Sequence, residues 1–432
     1  MAWHAASVAA LIFGLIGILF AWCALMPKGA ALDRLSVWYL AFGLSGSELS
    51  ALLATLGLML AAGAWALGAA DDGLGRFALA LHAAAIAGLL WALWRARTTF
   101  TVLDAALRQA FGADYEQRIA PARRALLRRR LAPAMWWKPF SYRRADVDWR
   151  RNIDYVAGAH KQQRLDVMVP RAPAAGPRPI LLNIHGGGWI IGDKGTQAMP
   201  WLMHMASCGW LVVDADYRLS PGVRMPEHLI DVKRAIAWTR MHAADYGGDP
   251  RFIVITGGSA GGHLSALAAL TPNQPQWQPG FESVDTRVQA AVPLYGKFDL
   301  LGQHRPDPPF ADFMARKVMP GPRAEHDALW QAMDPATQMR ALAPGERPPM
   351  LIVHGTHDEL IPLAEARWFV GALRAASSAD LLYVELPFAH HGFDVPNSLR
   401  ADLTVEALQR YLELQYAQWC ARNGGAATPA AA

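Results

Sequence analysis

The chain has 432 residues, more than one ordinary domain needs, and is 53% apolar with only 18% charged residues. Its net charge of +5 is local: residues 95–151 hold 14 Lys/Arg against five acids, so the rest of the chain is net negative. That distribution argues against a nucleic-acid partner, which would want the positive charge on the folded domain itself. Three scattered cysteines, Cys23, Cys208 and Cys420, suggest no disulfide framework and agree with a reducing compartment.

Three apolar runs open the chain. Residues 7–26 (SVAALIFGLIGILFAWCALM) carry no charge and are long enough, as a helix, to cross a hydrocarbon core of roughly 30 Å. Residues 49–70 and 77–94 are the second and third such runs, the last bracketed by Arg76 and Arg95. Trp3, Trp22, Trp91 and Trp94 sit near run ends, where amphipathic rings anchor at a membrane interface. The apolar stretch 37–47 either extends the second span or lies in the interface. A cleaved signal peptide is the competing reading for the first run, but its start is not basic and WCALMPKGA is a poor cleavage site. His82, inside the third span, is read as packed against a neighbouring helix. These runs make residues 1–97 a transmembrane region of three helices. Loop charge then places the N-terminus outside and everything after residue 95 in the cytoplasm.

Residues 98–151 read as a basic juxtamembrane linker or helix. A helix is predicted over TVLDAALRQAFGADYEQRIAPARRALLRRRLA (101–132), broken at Pro121. Leu126, Leu127 and Leu131 beside Arg128, Arg129 and Arg130 fit a helix resting on anionic headgroups, and Trp136 and Trp137 favour the same surface. A solvated linker is the alternative.

From residue 152 to about 420 strand-like and helix-like segments alternate, which predicts a mostly parallel sheet covered on both faces. IDYVAGAHKQQRLDVMVP reads as a strand pair. RPILLNIH, WLVVDADYRL, RFIVITGG, VQAAVPLYG, PPMLIVHGT and LLYVELP read as further strands. Residues 300–348, rich in proline and charge, interrupt the pattern as an inserted cap. Residues 421–432 (RNGGAATPAAA and the residue before it) read as a disordered tail.

Chemistry concentrates at the predicted strand ends. VITGGSAGGHL places G-x-S-x-G at Gly257, Ser259 and Gly261 between a strand and a helix. A sharp turn there needs small neighbours and lifts the serine hydroxyl out of the sheet. A serine needs a base, and the base needs an orienting acid. Asp358 follows one strand, and His390 and His391 follow the next. Glu359 and Asp394 are rival acids read as solvated, and His354 and His357 are read as structural. HGGGW at 185–189 dissolves a strand into three glycines, leaving bare backbone that can face an oxyanion.

Together HGGGW, DYRLSP (216–221), GGDPRFIVITGGSAGG (247–262), HGTHDELIP (354–362) and HHGF (390–393) resemble the α/β-hydrolase superfamily, within the hormone-sensitive-lipase-like esterase group. The resemblance covers the catalytic part only. It implies an α/β-hydrolase fold behind three transmembrane helices, with Ser259 as nucleophile, Asp358 as acid and His391 as base. It also implies an oxyanion hole from the amides of Gly187, Gly188 and Ala260, while Gly186 and His185 shape the turn. No metal or organic cofactor is expected. The expected reaction is hydrolysis of small-molecule or lipid carboxylic esters at a membrane bilayer. An amidase or formamidase, and a non-catalytic binding module with the same fold, remain alternatives. Two departures leave the substrate open. Gly258 stands where many members of the group carry an acid before the serine, and HGTHDELIP replaces their D-P-x-x-D segment.

Overall fold

A computed structural model of the protein describes residues 2–28, 36–127, 132–174, 176–376 and 381–424. Arg128–Arg130, Leu131 and the last eight residues of the expected tail lie outside them.

The apolar runs form helices α1 (Ala2–Leu25), α2 (Ser36–Glu48), α3 (Ser50–Ala66) and α4 (Gly73–Ala96), with α5 (Thr98–Phe111) continuing from α4. Two stretches, Ala5–Leu25 and Gly73–Phe111, are long and apolar enough to cross a membrane. A third qualifies only if α2 and α3 count together, and these meet at 87°. Residues 37–47 therefore do not continue the second span in a straight line. Small residues let α1 and α4 approach closely. A Cβ on Gly17 would stand 3.0 Å from Ala85 Cβ, and one on Gly88 2.9 Å from Ala21 Cβ. Outward faces are apolar throughout: Ile12, Phe13 and Ile16 on α1, Leu58 and Met59 on α3, and Phe77 and Leu90 on α4 are exposed. His82 Nε2 meets the Ala10 carbonyl at 3.1 Å, so it does pack against a neighbouring helix. The bundle has two ends. At one, Ser7 donates to Asp72 (2.7 Å), which also caps α4 through the Gly75 amide. At the other, the ends of α1 and α4 and the α2–α3 bend meet the catalytic domain.

Among the described residues of 98–151, helix α5 packs on the catalytic domain and is not a solvated linker. Leu103, Leu107 and Phe111 lie on one face of α5 at four-residue spacing and join the core beneath the sheet. The helix ends there and not at Pro121, because Gly112 turns the chain at φ 93°. Pro121 instead opens a short helix α6 (Pro121–Arg124). In it, Arg123 makes a buried ion pair with Glu413 (Nη2–Oε1 2.8 Å). In α7 (Pro133–Trp136), Trp136 Nε1 donates to Asp402 (2.9 Å), while Trp137 is half exposed.

The sheet starts at β1 (Val147–Asp154), five residues before the expected domain boundary. There follow β2 (Arg164–Pro170), β3 (Arg178–Ile184), α8 (Met199–Ser207), β4 (Leu211–Ala215), α9 (Glu227–His242), β5 (Gly248–Gly258), α10 (Ala260–Leu270) and β6 (Ala290–Leu294). Three short helices, α11 (Pro308–Phe313), α12 (Arg323–Ala332) and α13 (Pro335–Ala341), make up the 300–348 insertion. The chain closes with β7 (Met350–Gly355), α14 (Leu363–Ala376), β8 (Leu381–Leu386) and α15 (Leu399–Arg422). Helix α15 thus runs two residues into the segment expected as a tail, ending at Arg422.

Spatial order is β1-β2-β4-β3-β5-β6-β7-β8, with β2 antiparallel to both neighbours and the rest parallel. Both faces are covered. Ile180, Leu182 and Ile184 of β3 point into one core, and Leu181 into the other. Such strands read as continuous apolar runs because both faces are buried.

Candidate active site

The central strand β5 ends in Gly257–Gly258, and Ser259 precedes α10 with φ 59° and ψ −121°. That conformation is unfavourable for a side-chain-bearing residue and persists only where the surroundings impose it. They do so here. A Cβ on Gly257 would strike the Gly261 backbone 2.6 Å away, and one on Gly261 would meet the His185 carbonyl at 2.7 Å. The Ser259 amide donates to the Leu294 carbonyl (3.0 Å), tying the turn to β6.

The glycine loop after β3 lies against this turn. A Cβ on Gly186 would stand 3.1 Å from Ser259 Cβ, so the backbone there passes beside the serine. Gly187 and Gly188 take φ 114° and 59°. The Gly186 amide is engaged by Gln197 Oε1 (2.8 Å). Among the described residues none accepts from the amides of Gly187 and Gly188. Ala260, first residue of α10, likewise has no intrahelical acceptor for its amide. The loop is held by acids that the sequence reading did not single out. Asp214 accepts from the Gly195 amide and Asp216 from the Lys194 amide, both at 2.6 Å. Asp216 belongs to the DYRLSP motif, which was the available signal. Burial pushes the Asp214 carboxyl up to about 7.

Asp358 and His391, on the loops after β7 and β8, come together: Nδ1 of His391 lies 2.8 Å from Asp358 Oδ2. The other carboxylate oxygen accepts from the amides of Leu360 (2.9 Å) and Ile361 (2.8 Å). His354 Nε2 stands 3.3 Å from Oδ2 and donates to the Ile361 carbonyl at 3.0 Å, so this histidine supports the acid. Burial alone would raise the Asp358 carboxyl. The His391 imidazole and the hydrogen bonds from His354 and His391 outweigh it and hold the group well below the usual carboxylate range. Burial likewise opposes charge on His391, but Asp358 prevails and raises its pKa above the ordinary value.

Neither rival acid is solvated. Asp394 is 5% exposed and accepts a hydrogen bond from the Tyr295 hydroxyl. Glu359 is fully buried, and its Oε2 lies 3.1 Å from Nδ1 of His390, so His390 pairs with a different acid from His391. Both misreadings share a cause. The loops after β7 and β8 are roofed by the ends of the N-terminal apolar helices, and periodicity could not place that cover. Tyr295 was missed as well. Its ring lies 4.8 Å from that of His391 and packs on the serine turn, where a Cβ on Gly258 would come within 2.7 Å of Tyr295 Cζ. The departure at Gly258 thus has a steric reason: Tyr295 fills the space an acidic side chain would need.

Over the glycine loop stand two rings of α11. A Cβ on Gly188 would touch Phe313 Cζ at 3.9 Å, and Phe310 lies 6.4 Å from Trp189 between ring centroids. Helix α11 of the 300–348 segment therefore lies over the glycine loop.

A serine on a strained strand-to-helix turn, an acid and a histidine after the next two strands, and a glycine loop after β3 define an α/β-hydrolase. Residues 165–373 match the family described as BD-FAE. The chain is 40% identical over 333 residues to "Esterase LipQ" of Mycobacterium tuberculosis, covering 75% of this chain and 76% of that protein. To "Probable carboxylic ester hydrolase LipM" of the same organism it is 46% identical over 249 residues, 57% of each chain. A propionate-bound structure of the esterase Est2 from Thermogutta terrifontis superposes with a TM-score of 0.50 at 26% identity, covering 65% of this chain and 95% of that one. The protein belongs to the carboxylesterase group of the α/β-hydrolase superfamily.

Proposed function

We propose that the protein is a membrane-anchored serine hydrolase that cleaves carboxylic esters. The observation that carries this reading is the 2.8 Å link between His391 and Asp358, held on the same sheet edge as the strained Ser259. Ser259 Oγ attacks the ester carbonyl while His391 Nε2 takes its proton. Asp358 keeps the other ring nitrogen protonated and stabilises the imidazolium. The tetrahedral oxyanion is received by the amides of Gly187, Gly188 and Ala260. Each such donor contributes about 3 kcal/mol to the transition state. The imidazolium then protonates the leaving alcohol, and water repeats the sequence on the acyl-enzyme.

The substrate class follows from surroundings. Phe310, Phe313 and Trp189 give the cap an apolar lining, and Ile191, 67% exposed, borders the glycine loop. The neighbouring loops rest on the ends of apolar helices, so a lipophilic ester dissolved in the bilayer would be concentrated at the site. The propionate in the Est2 complex supports a small acyl group. The N-terminus would lie outside and the catalytic domain in the cytoplasm: Lys28, Arg95 and Arg97 lie at one bundle end, and Arg76 with Asp71 and Asp72 at the other, which supports this orientation.

Detergent-solubilised protein is expected to hydrolyse p-nitrophenyl acyl esters and to be labelled by a fluorophosphonate. Ser259→Ala should lose both properties; a Ser259→Ala protein with wild-type turnover would refute the assignment. A C-terminal reporter active only outside the cytoplasm would refute the orientation.

A further inference from the structure

The loops after β7 and β8 are joined twice, by neighbouring residues. His391 meets Asp358, and one residue earlier His390 meets Glu359 at 3.1 Å. The first link lies on the side of Tyr295 and the serine turn. The second turns the other way, onto the membrane region. Nε2 of His390 lies 3.3 Å from the Ala24 carbonyl, and Nε2 of His357 lies 3.1 Å from the Leu25 carbonyl. These are the last carbonyls of α1, which have no partner within their own helix. Two imidazoles of the catalytic domain therefore cap a membrane helix.

The proton count is restrictive. Both ring nitrogens of His390 face oxygen: a carboxylate at Nδ1 and a backbone carbonyl at Nε2. The carbonyl can only accept, so Nε2 carries a proton. The remaining contact then holds one more proton, on Nδ1 or on Glu359. Both residues are fully buried, and a buried acid–imidazole pair is seldom more stabilising than an apolar pair of equal volume. Its use is better sought in fixing geometry. Helix α2 removes the remaining slack, because a Cβ on Gly43 would lie 2.6 Å from Cε1 and 2.7 Å from Nδ1 of the His390 ring.

We propose that Glu359 and His390 are positioning residues that fix the loop bearing His391 against helices α1 and α2, so that the membrane region forms part of the catalytic base's support. This rests on His391 being the base. The full-length protein in lipid nanodiscs tests it, with turnover counted per fluorophosphonate-reactive serine so that misfolded protein does not enter. Gly43→Ala pushes the His390 ring without touching any substrate-facing group, and Glu359→Gln removes the link from the other side. Gly63→Ala is the control, since a Cβ there meets nothing within 4 Å. In both test variants kcat should fall roughly ten- to a hundredfold, the scale of a small misplacement of a reacting group, with KM unchanged. Gly63→Ala should match wild type. Wild-type kcat in either test variant would overturn the inference, and so would an equal loss in Gly63→Ala, which would mark general loosening of the bundle. A wild-type protein that hydrolyses no ester and takes no label at Ser259 would instead sink the esterase reading itself.

Discussion

Replacing Asp358 by asparagine keeps shape and volume and changes only what the side chain can accept. One carboxylate oxygen receives two backbone amides, from Leu360 (2.9 Å) and Ile361 (2.8 Å). The asparagine oxygen has to occupy that position, because the amide group turned around would set its own N–H donors against two backbone donors. An unsatisfied buried donor costs about 1–3 kcal/mol, so the turned form is disfavoured by about 2–6 kcal/mol. The amide nitrogen then faces Nδ1 of His391, which must accept. The His391 proton moves to Nε2, and the ring can no longer take a proton from Ser259. At about 1.4 kcal/mol per factor of ten, the productive tautomer is depleted by roughly thirtyfold to ten-thousandfold. His354 does not relieve this, since it keeps its bond to the Ile361 carbonyl at 3.0 Å. Asp358→Asn should therefore lose roughly 10³-fold in kcat on p-nitrophenyl butyrate with little change in melting temperature. A variant within tenfold of wild type would refute the role given to the carboxylate.

Activity should also report the His391 proton. Because Asp358 raises its pKa above the ordinary value of about 6.5, kcat/KM should fall with acid along a limb centred above that pH, and a limb centred below pH 6 would contradict the assignment. Gly258→Asp, which supplies the acid that many members of the group carry, should displace Tyr295 and cost about 1–3 kcal/mol, read as a lower melting temperature in detergent. Arg123→Ala leaves Glu413 buried with, among the described residues, Trp210 Nε1 (2.9 Å) as its one side-chain donor, and should cost about 3–5 kcal/mol in denaturant unfolding; a loss below 1 kcal/mol would return residues 121–124 to the status of a linker. Gly17→Leu should separate α1 from α4, where a Cβ already stands 3.0 Å from Ala85 Cβ, and lower the thermal stability of the detergent-solubilised bundle.

What could be read in advance divides along physical lines. The Ser259 turn and the glycine loop were legible from local backbone chemistry, since a sharp turn needs small neighbours and bare amides need glycine; Asp358 and His391 were legible only through strand-end position and the family resemblance. The cap was legible as a break in alternation. Arg123 was misread because an arginine looks solvated on any local criterion. Only the folded chain shows that Arg123 meets Glu413, 290 positions on. The faces of α5 carried a usable signal, Leu103, Leu107 and Phe111 at four-residue spacing, which the charge count obscured.

The same limit explains Glu359 and Asp394. A carboxylate in a loop is normally solvated, and the prior fails only where a second layer covers the loop. Here that layer is the N-terminal apolar helices, which look in the sequence like a separable anchor. The contacts argue otherwise. Glu48, at the α2–α3 bend, is buried between Arg400 (2.8 Å) and Ser398 (2.7 Å) at the start of α15. Arg400 also reaches the carbonyls of Pro387 and Phe388, which lead into the His391 loop. Removing either charge would leave the other buried and unpaired. Helices that served only as a tether would not need a buried ion pair into the segment that leads to the Asp358–His391 pair.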